Sequence, residues 1–292
     1  MKLITFSYRD SVHIGAVIDD TVVLSSQLAH IPNKMIDFLD TGEQGLNEMQ
    51  KLIDSGDNRV PLSNIKILAP IPRPGKFLGI GLNYQEHINE TKFDKPEFPT
   101  IFTKQSTCVI ATEDKIYQPI VSEKLDYEGE LAFIIGKRCK HVSIEHAPQM
   151  IAGYTIVNDV TVRDWQIRSP NWTLGKSFDS HGPMGPWIVT SDEIENPHNL
   201  NLKTWVDGEL RQNNNTGKMI FNCYELVAYL TQVMTLEPGD VISTGTPAGV
   251  GVKMKPRGYL KPGQTVKIEI EKIGILSNSV IEEPIKKTAN LA

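Results

Sequence analysis

The alternation of apolar and polar residues predicts short strands at the start of the chain, over residues 2–8, 12–18 and 21–24. A helical pattern follows over residues 33–53. Pro70, Pro72 and Pro74 then exclude a continuous helix and favour an extended connector. We therefore predict a small N-terminal α+β domain over residues 1–70 and a main domain over residues 71–292.

Beyond the connector, most apolar runs have the length and composition of β-strands. The clearest lie at residues 100–104, 130–135, 151–158, 186–190, 200–206, 241–245 and 265–271. A helical pattern covers residues 222–234, and Pro238 and Gly239 follow its end. Many strands and few helices indicate an α+β fold that is mainly β, with a rolled or sandwiched sheet rather than a β-α-β array.

Composition and charge exclude several classes of protein. The chain has 292 residues, 40% hydrophobic and 22% charged, which is typical of globular proteins. A net charge of −5 argues against a nucleic-acid partner. Polar residues interrupt every apolar run before the roughly 20 residues of a membrane helix, so we expect neither a signal peptide nor a membrane span. Three widely spaced cysteines do not suggest a disulfide framework, and we expect a cytoplasmic protein.

Three carboxylates are the candidate metal ligands. Alternation along a strand places Glu128 and Glu130 on the same face, about 7 Å apart at Cα. Asp159 follows another predicted strand. Three carboxylates suit a hard cation such as Mg²⁺ or Mn²⁺ and leave coordination positions for a substrate. The alternatives from the residues alone are a solvated strand edge for the two glutamates and a helix cap for Asp159.

Basic and acid–base groups surround this triad in the sequence. His87 and Glu90 lie on one face of a short helix, so they either activate a water molecule or form a surface ion pair. Lys176 stands among small and aromatic residues, as a lysine that stabilises an oxyanion would. Arg163 and Gln166 fall on the helical face that follows the triad, where Arg163 either faces the metal or pairs with a nearby carboxylate.

A glycine-rich segment over residues 245–251 follows the strand at 241–245. Its glycines allow close approach of the backbone to a ligand, but it lacks the lysine and spacing of a phosphate-binding loop. We interpret it as a carboxylate-binding turn in which Gly245 and Thr246 contact the substrate. A simple tight turn explains the same composition.

With these residues in place, the sequence closely resembles the fumarylacetoacetate hydrolase family, and specifically its bacterial two-part members and the acylpyruvase and oxaloacetate-processing branch. The resemblance covers about residues 70–283. It is carried by the ordered motifs at 81–87 (GLNYQEH), 126–131 (DYEGEL), 153–164 (GYTIVNDVTVRD), 175–178 (GKSF), 219–221 (MIF) and 245–251 (GTPAGVG).

The resemblance implies a mixed β-sandwich roll, one divalent cation per subunit and a homodimer. It places Mg²⁺ or Mn²⁺ on Glu128, Glu130 and Asp159. It assigns water activation, stabilisation of the oxyanion and contact with the substrate to other matched positions, which are His87, Glu90, Lys176, Gln166, Arg163, Thr246, Gly245 and Tyr84.

The implied reaction is metal-dependent hydrolysis of a carbon–carbon bond in a 2,4-dioxo acid. In this hypothesis His87 and Glu90 activate water, and the cation and Lys176 stabilise the pyruvate enolate that leaves. Oxaloacetate decarboxylation or tautomerisation, and isomerisation of a 2-hydroxy-diene-dioate, use the same ligands and stay open, as does a non-catalytic 2-oxo-acid-binding protein. We expect the loop at 91–99, with a partner subunit or the N-terminal domain, to shape the distal pocket.

Overall fold

The computed structural model describes residues 1–25, 31–57, 59–91 and 94–284. The N-terminal region contains strands β1 (Lys2–Tyr8), β2 (Ser11–Ile18), β3 (Thr21–Leu24), β4 (Arg59–Pro61) and β5 (Lys66–Leu68), with helices α1 (Met35–Asp40) and α2 (Glu43–Ser55). The predicted helix over 33–53 is thus two helices. Gly42, at φ 59°, separates them because this backbone conformation cannot continue a right-handed helix.

The remaining chain is mainly strands, as predicted. The strands are β6 (Phe77–Gly81), β7 (Thr100–Thr103), β8 (Val109–Ile110), β9 (Ile116–Gln118), β10 (Leu125–Asp126), β11 (Gly129–Ile135), β12 (Ile151–Asn158), β13 (Thr161–Val162), β14 (Gly182–Thr190), β15 (Asn201–Val206), β16 (Glu209–Asn215), β17 (Val241–Ser243), β18 (Thr265–Ile270) and β19 (Gly274–Glu282). The helices are α3 (Gln85–Thr91), α4 (Arg163–Gln166), α5 (Thr173–Lys176) and α6 (Cys223–Val233). The predicted α+β, mainly β class is confirmed.

Two mixed sheets form a sandwich within the described part of the chain. The larger follows the order β4-β3-β2-β1-β14-β12-β11-β17-β6-β7, with β5 on β1 and β8 on β14. The smaller follows β16-β15-β18-β19-β9. Leu131 and Phe133 of β11 pack in the core cluster that also holds Leu202 and Ile268 of the smaller sheet. The intervening Ala132 and Ile134 pack in the second cluster, with side chains from α1 and α2.

The N-terminal strands continue the larger sheet. Lys2 and Leu3 of β1 pair with Val189 and Ile188 of β14, and the terminal amino group lies 2.5 Å from Thr190 Oγ1. The larger sheet therefore contains strands from both sides of the predicted boundary at residue 70. The division into two domains stays a prediction.

Candidate active site

The three predicted carboxylates lie together at one end of the β11–β12 pair. Gly129 and Asn158 are register partners there, so Glu128 precedes one strand where Asp159 follows the other. The Asp159 amide donates to the Glu128 carbonyl at 2.9 Å. One carboxylate oxygen from each of Glu128, Glu130 and Asp159 lies within 4.8 Å of the others, and all three side chains are buried. A solvated strand edge does not explain this arrangement.

Basic side chains compensate the triad. The Lys176 ammonium lies 2.7 Å from Glu128 Oε2 and 2.6 Å from Asp159 Oδ2. Lys104 lies 2.6 Å from Asp159 Oδ1 and also donates to the backbone carbonyl of Lys176. Arg163 Nη1 lies 2.6 Å from Glu128 Oε1. Three basic side chains therefore contact Glu128 and Asp159 directly, and such partners offset the cost of burying ionised carboxylates.

This cluster has one formal negative charge more than it has positive charges. Its buried members are the carboxyl groups of Asp126, Glu128, Glu130 and Asp159 and the basic groups of Lys104, Arg163 and Lys176. Burial opposes ionisation of Glu128, but Lys176 and Arg163 lower its pKa to about 2. Burial, with the charges of Asp159 and Glu128, raises the pKa of Glu130 well above its ordinary value. Glu130 is thus the ligand whose charge an added cation would favour most.

The donor set fits a hard divalent cation. Three buried carboxylates with oxygens within 4.8 Å of one another match the oxygen ligands that Mg²⁺ and Mn²⁺ take. The single excess negative charge of the cluster would become a single positive charge with a divalent ion present. The carboxylate of a 2-oxo acid would neutralise that charge.

Arg163 pairs with two carboxylates, one of them a member of the triad, and its predicted contact with a metal stays a prediction. Its Nε lies 2.8 Å from Asp126 Oδ2, while its Nη1 bonds Glu128 and also Gln166 Oε1 at 3.1 Å. Asp126 also accepts the amide of Gly251 at 2.8 Å. The guanidinium therefore joins Glu128, which precedes β11, to Gln166 of α4 and, through Asp126, to the glycine-rich turn. Its planar group of several N–H donors suits such a set of contacts.

The glycine-rich turn supports Glu130. Glu130 Oε2 accepts from Ser243 Oγ at 2.6 Å and from the Gly245 amide at 2.9 Å. Gly245 has φ 96°, and a Cβ there would lie 2.8 Å from the Ile80 carbonyl oxygen, so a side chain would be strained. Thr246 Oγ1 donates to the Gly129 carbonyl at 3.0 Å. The substrate contacts predicted for Gly245 and Thr246 stay predictions.

His87 and Glu90 pair on α3. His87 Nδ1 lies 3.2 Å from Glu90 Oε2, and Glu90 Oε1 accepts the Gly249 amide at 3.1 Å. His87 is only 7% exposed, so the pair is not an ordinary surface ion pair. Tyr84, predicted to contact substrate, is buried, and its hydroxyl has no hydrogen-bond partner among the described residues. Burial raises its pKa, so the phenol stays neutral.

A cavity of about 300 Å³ connects these groups. Its described lining includes His87, Glu128, Glu130, Arg163, Lys176 and Thr246. Gln166 lines it as well, whereas Tyr84 is not part of this lining. The volume suits a small organic acid. Of the expected distal loop at 91–99, residues 92 and 93 lie outside the described residues.

Two buried residues of this site were not predicted. Lys104 ends the predicted strand at 100–104 between the polar residues Thr103 and Gln105, so it lacks the small and aromatic neighbours that distinguish Lys176. Gln212 accepts from the Gly129 amide at 3.0 Å and donates to Thr246 Oγ1 at 2.8 Å. It belongs to β16, whose sequence ELRQNNN has no apolar alternation, so the pattern gave no signal.

Within the described ranges, no helix has the length and apolar character needed to cross a membrane. Residues 76–281 match the protein family described as fumarylacetoacetate (FAA) hydrolase C-terminal. Over 288 residues the chain is 41% identical to the mitochondrial oxaloacetate tautomerase fahd2 of Xenopus laevis, which covers 96% of this chain and 90% of that protein.

Two solved structures show the same fold. One is a 2-hydroxyhepta-2,4-diene-1,7-dioate isomerase from Mycobacterium marinum, with a TM-score of 0.77, 34% identity and coverage of 97% of this chain and 99% of that one. The other is a maleylpyruvate hydrolase from Sphingobium sp. SYK-6 in complex with manganese(II) and pyruvate, with a TM-score of 0.82, 28% identity and coverage of 97% and 100%. The names of these relatives cover three different reactions.

Proposed function

Because this chain belongs to the fumarylacetoacetate hydrolase family, we propose that it is an enzyme that interconverts the keto and enol forms of oxaloacetate with the help of a divalent cation. The observation that carries this proposal is the buried triad of Glu128, Glu130 and Asp159 beside a cavity that Lys176 and Arg163 also line. Such a site suits the carboxylate and 2-oxo oxygens of a 2-oxo acid. The choice of tautomerisation is supported by the Xenopus laevis relative, which aligns over nearly the whole chain.

The three carboxylates would hold Mg²⁺ or Mn²⁺, which would act as a Lewis acid on the 2-oxo group. Lys176 and Arg163 add positive charge where the enolate oxygen develops. Thr246 lines the cavity, and we infer that it contacts the C1 carboxylate. We infer that His87 carries the proton of C3, because its side chain lines the cavity and Glu90 Oε2, 3.2 Å from its Nδ1, orients the ring.

The proton balance of the reaction needs no co-substrate. In the direction from keto to enol, the C3–H bond breaks and a proton reaches the 2-oxo oxygen. His87 accepts the proton from C3, and Lys176, which contacts Glu128 and Asp159 and lines the cavity, donates one at the oxygen. His87 then loses its proton to solvent and Lys176 regains one from solvent, which restores both groups. Until the oxygen is protonated, the positive charge of Arg163 and Lys176 balances the charge of the enolate.

A second candidate function is hydrolysis of a carbon–carbon bond in an acylpyruvate. The His87–Glu90 pair favours it, because a histidine held by a carboxylate also activates water. The maleylpyruvate hydrolase with manganese(II) and pyruvate has a similar fold. Tautomerisation leaves the carbon skeleton intact, whereas hydrolysis releases pyruvate, so the products separate the two candidates.

The test uses purified protein with Mg²⁺ or Mn²⁺. The ultraviolet absorbance of enol-oxaloacetate is followed as it decays to the keto form, and pyruvate release is measured from acetylpyruvate. We expect saturable acceleration of the decay, lost in Glu130→Ala and retained in the exposed control Glu195→Ala. Binding of Mn²⁺, measured by electron paramagnetic resonance, should be weaker in Glu130→Ala than in the wild type and unchanged in Glu195→Ala. Pyruvate release without accelerated decay would establish the hydrolase, and full activity in Glu130→Ala would refute this site for both reactions.

We also propose a homodimer in a reducing compartment such as the cytoplasm. The free cysteines Cys108, Cys139 and Cys223 are all buried, which suits such a compartment. The Xenopus laevis relative is named as mitochondrial. Light scattering of the purified chain tests the dimer, and a mass of about 33 kDa, that of one chain, would contradict it.

A further inference from the structure

Lys124 marks the place where the active-site cavity meets the surface. Lys124, Asp164 and Tyr259 line both the cavity of about 300 Å³ and an adjoining surface cavity of about 480 Å³. The described lining of the adjoining cavity includes none of the three carboxylates of the triad. If the 2-oxo end of a substrate lies at the triad, its other end lies at another side of the cavity. Lys124 lies on the side that opens into the adjoining surface cavity.

The backbone of Lys124 is fixed to the site. The Arg163 amide donates to the Lys124 carbonyl at 3.0 Å, and the next residue, Leu125, pairs with Val162 in the β10–β13 ladder. The side chain is exposed, and no carboxylate of the described residues lies within 4.0 Å of its ammonium. The backbone of Lys124 is thus held beside Arg163, and the N–H groups of its ammonium can donate to a ligand.

Two acidic residues, Glu123 and Asp164, also line the adjoining cavity, and neither carboxylate lies within 4.0 Å of the Lys124 ammonium. Asp164 Oδ1 accepts from Ser122 Oγ at 2.7 Å. Tyr259 is half-buried and offers a hydroxyl at the same opening. Lys253 lines the inner cavity but not the adjoining one. The open side of the site therefore presents two hydrogen-bond donors, the Lys124 ammonium and the Tyr259 hydroxyl, beside the carboxylates of Glu123 and Asp164. The two donors are the groups there that suit a substrate carboxylate.

We propose that Lys124 binds the distal carboxylate of the substrate and selects dicarboxylic 2-oxo acids over those with an uncharged distal end. This inference rests on the proposed function and specifies its substrate class. Lys124 acts in binding and takes no part in the proton transfer. Its contribution is consequently to KM, and it decreases as salt screens the exposed charge.

The test compares oxaloacetate with its C4 monomethyl ester, which keeps the 2-oxo end and lacks the distal charge. We expect Lys124→Met to raise KM for oxaloacetate about tenfold, as for loss of one charge-assisted hydrogen bond, and to leave KM for the ester within about twofold. Lys124→Arg keeps the positive charge and should retain the preference for oxaloacetate over the ester. The matched control Lys140→Met removes an exposed lysine that bonds the Gln232 carbonyl and should change neither KM.

Failure of the inference and failure of the proposed function have different signatures. If the wild-type protein accelerates the tautomerisation of neither compound, the proposed function is wrong. If it accelerates both, and Lys124→Met changes the two KM values equally or not at all, the role of Lys124 in selecting the distal carboxylate is refuted. A kcat that falls for both compounds while KM is unchanged would refute it as well.

Discussion

Lys104 Nζ lies 2.6 Å from Asp159 Oδ1, and neither side chain is accessible to solvent. The two residues are 55 positions apart in the chain, so the ion pair ties β7 to the end of β12. Lys104 also donates to the Lys176 carbonyl, which fixes the backbone of the lysine that contacts the other oxygen of Asp159. A single buried lysine thereby orients two groups of the site.

Replacement of Lys104 by methionine should therefore destabilise the fold strongly. The substitution keeps the apolar stem and leaves Asp159 buried with one cation fewer. We expect the free energy of unfolding to fall by about 3–5 kcal/mol, as for a buried pair that loses one partner. Urea denaturation measures it. The control Lys51→Met removes an ion pair with Glu48 from a lysine that is 70% exposed, and should cost at most about 1 kcal/mol. Equal effects of the two variants would contradict the prediction.

The Arg163 network predicts a catalytic cost for a substitution that keeps the charge. Lysine cannot contact Asp126 and Glu128 at once, as the Nε and Nη1 atoms of Arg163 do. We expect Arg163→Lys to lower kcat/KM for oxaloacetate by about 10- to 100-fold, equivalent to loss of one hydrogen bond to a charged group. Arg138→Lys is the matched control, because Arg138 is exposed. Steady-state kinetics that do not distinguish the two variants would show that the second contact of Arg163 is dispensable.

Gln212 should matter for stability although it belongs to a polar strand. Gln212→Leu leaves the buried Gly129 amide, the Thr246 hydroxyl and the Pro247 carbonyl without this partner. Each unsatisfied buried group costs about 1–3 kcal/mol, so we expect a loss of at least about 2 kcal/mol in thermal or chemical unfolding. The neighbouring Asn213 is exposed on the same strand. Asn213→Leu should be nearly neutral, and a larger loss there than at Gln212 would refute the assignment.

His181 should make stability depend on pH. It is fully buried, its Nε2 lies 2.8 Å from the Tyr117 carbonyl oxygen, and burial lowers its pKa from 6.5 to about 3. Below pH 6.5 the unfolded chain binds a proton that the folded chain excludes, so stability is full above that pH and is lost as pH falls towards 3. From pH 7 to pH 5 this single group should remove about 2 kcal/mol.

The check is the free energy of unfolding at pH 7, 6 and 5 for the wild type and His181→Asn. Asparagine keeps a donor for the Tyr117 carbonyl and does not titrate, so the variant should lose about 2 kcal/mol less over this range, whatever its stability at pH 7. The other titrating groups, including Glu130 with its raised pKa, are common to both proteins, so their contributions cancel in the difference. Parallel curves for the two proteins would exclude His181 as the titrating group.

The sequence by itself determined the local structure and the identity of the acidic triad. Alternation through the start of β11 placed Glu130 and the preceding Glu128 on one face, and the strands β1 to β3 were predicted nearly to the residue. The end of α6 was also predicted well, and its start is fixed by Asn222, which caps it through its side chain. Each of these features depends on residues within a few positions of one another, so the local sequence is enough to predict it.

Only the tertiary structure decided which distant groups surround the triad. Lys104 meets Asp159 because β7 lies on β6 at the edge of the sheet that contains β12, and Gln212 reaches Gly129 because the polar β16 is held by pairing with β15. No periodic pattern in the sequence indicates either contact, because each forms between segments that are distant in the chain and that only the packing of the sandwich brings together. The same packing makes the buried carboxylates dependent on those partners, because in a dry interior each charge needs a compensating group that its own strand does not supply.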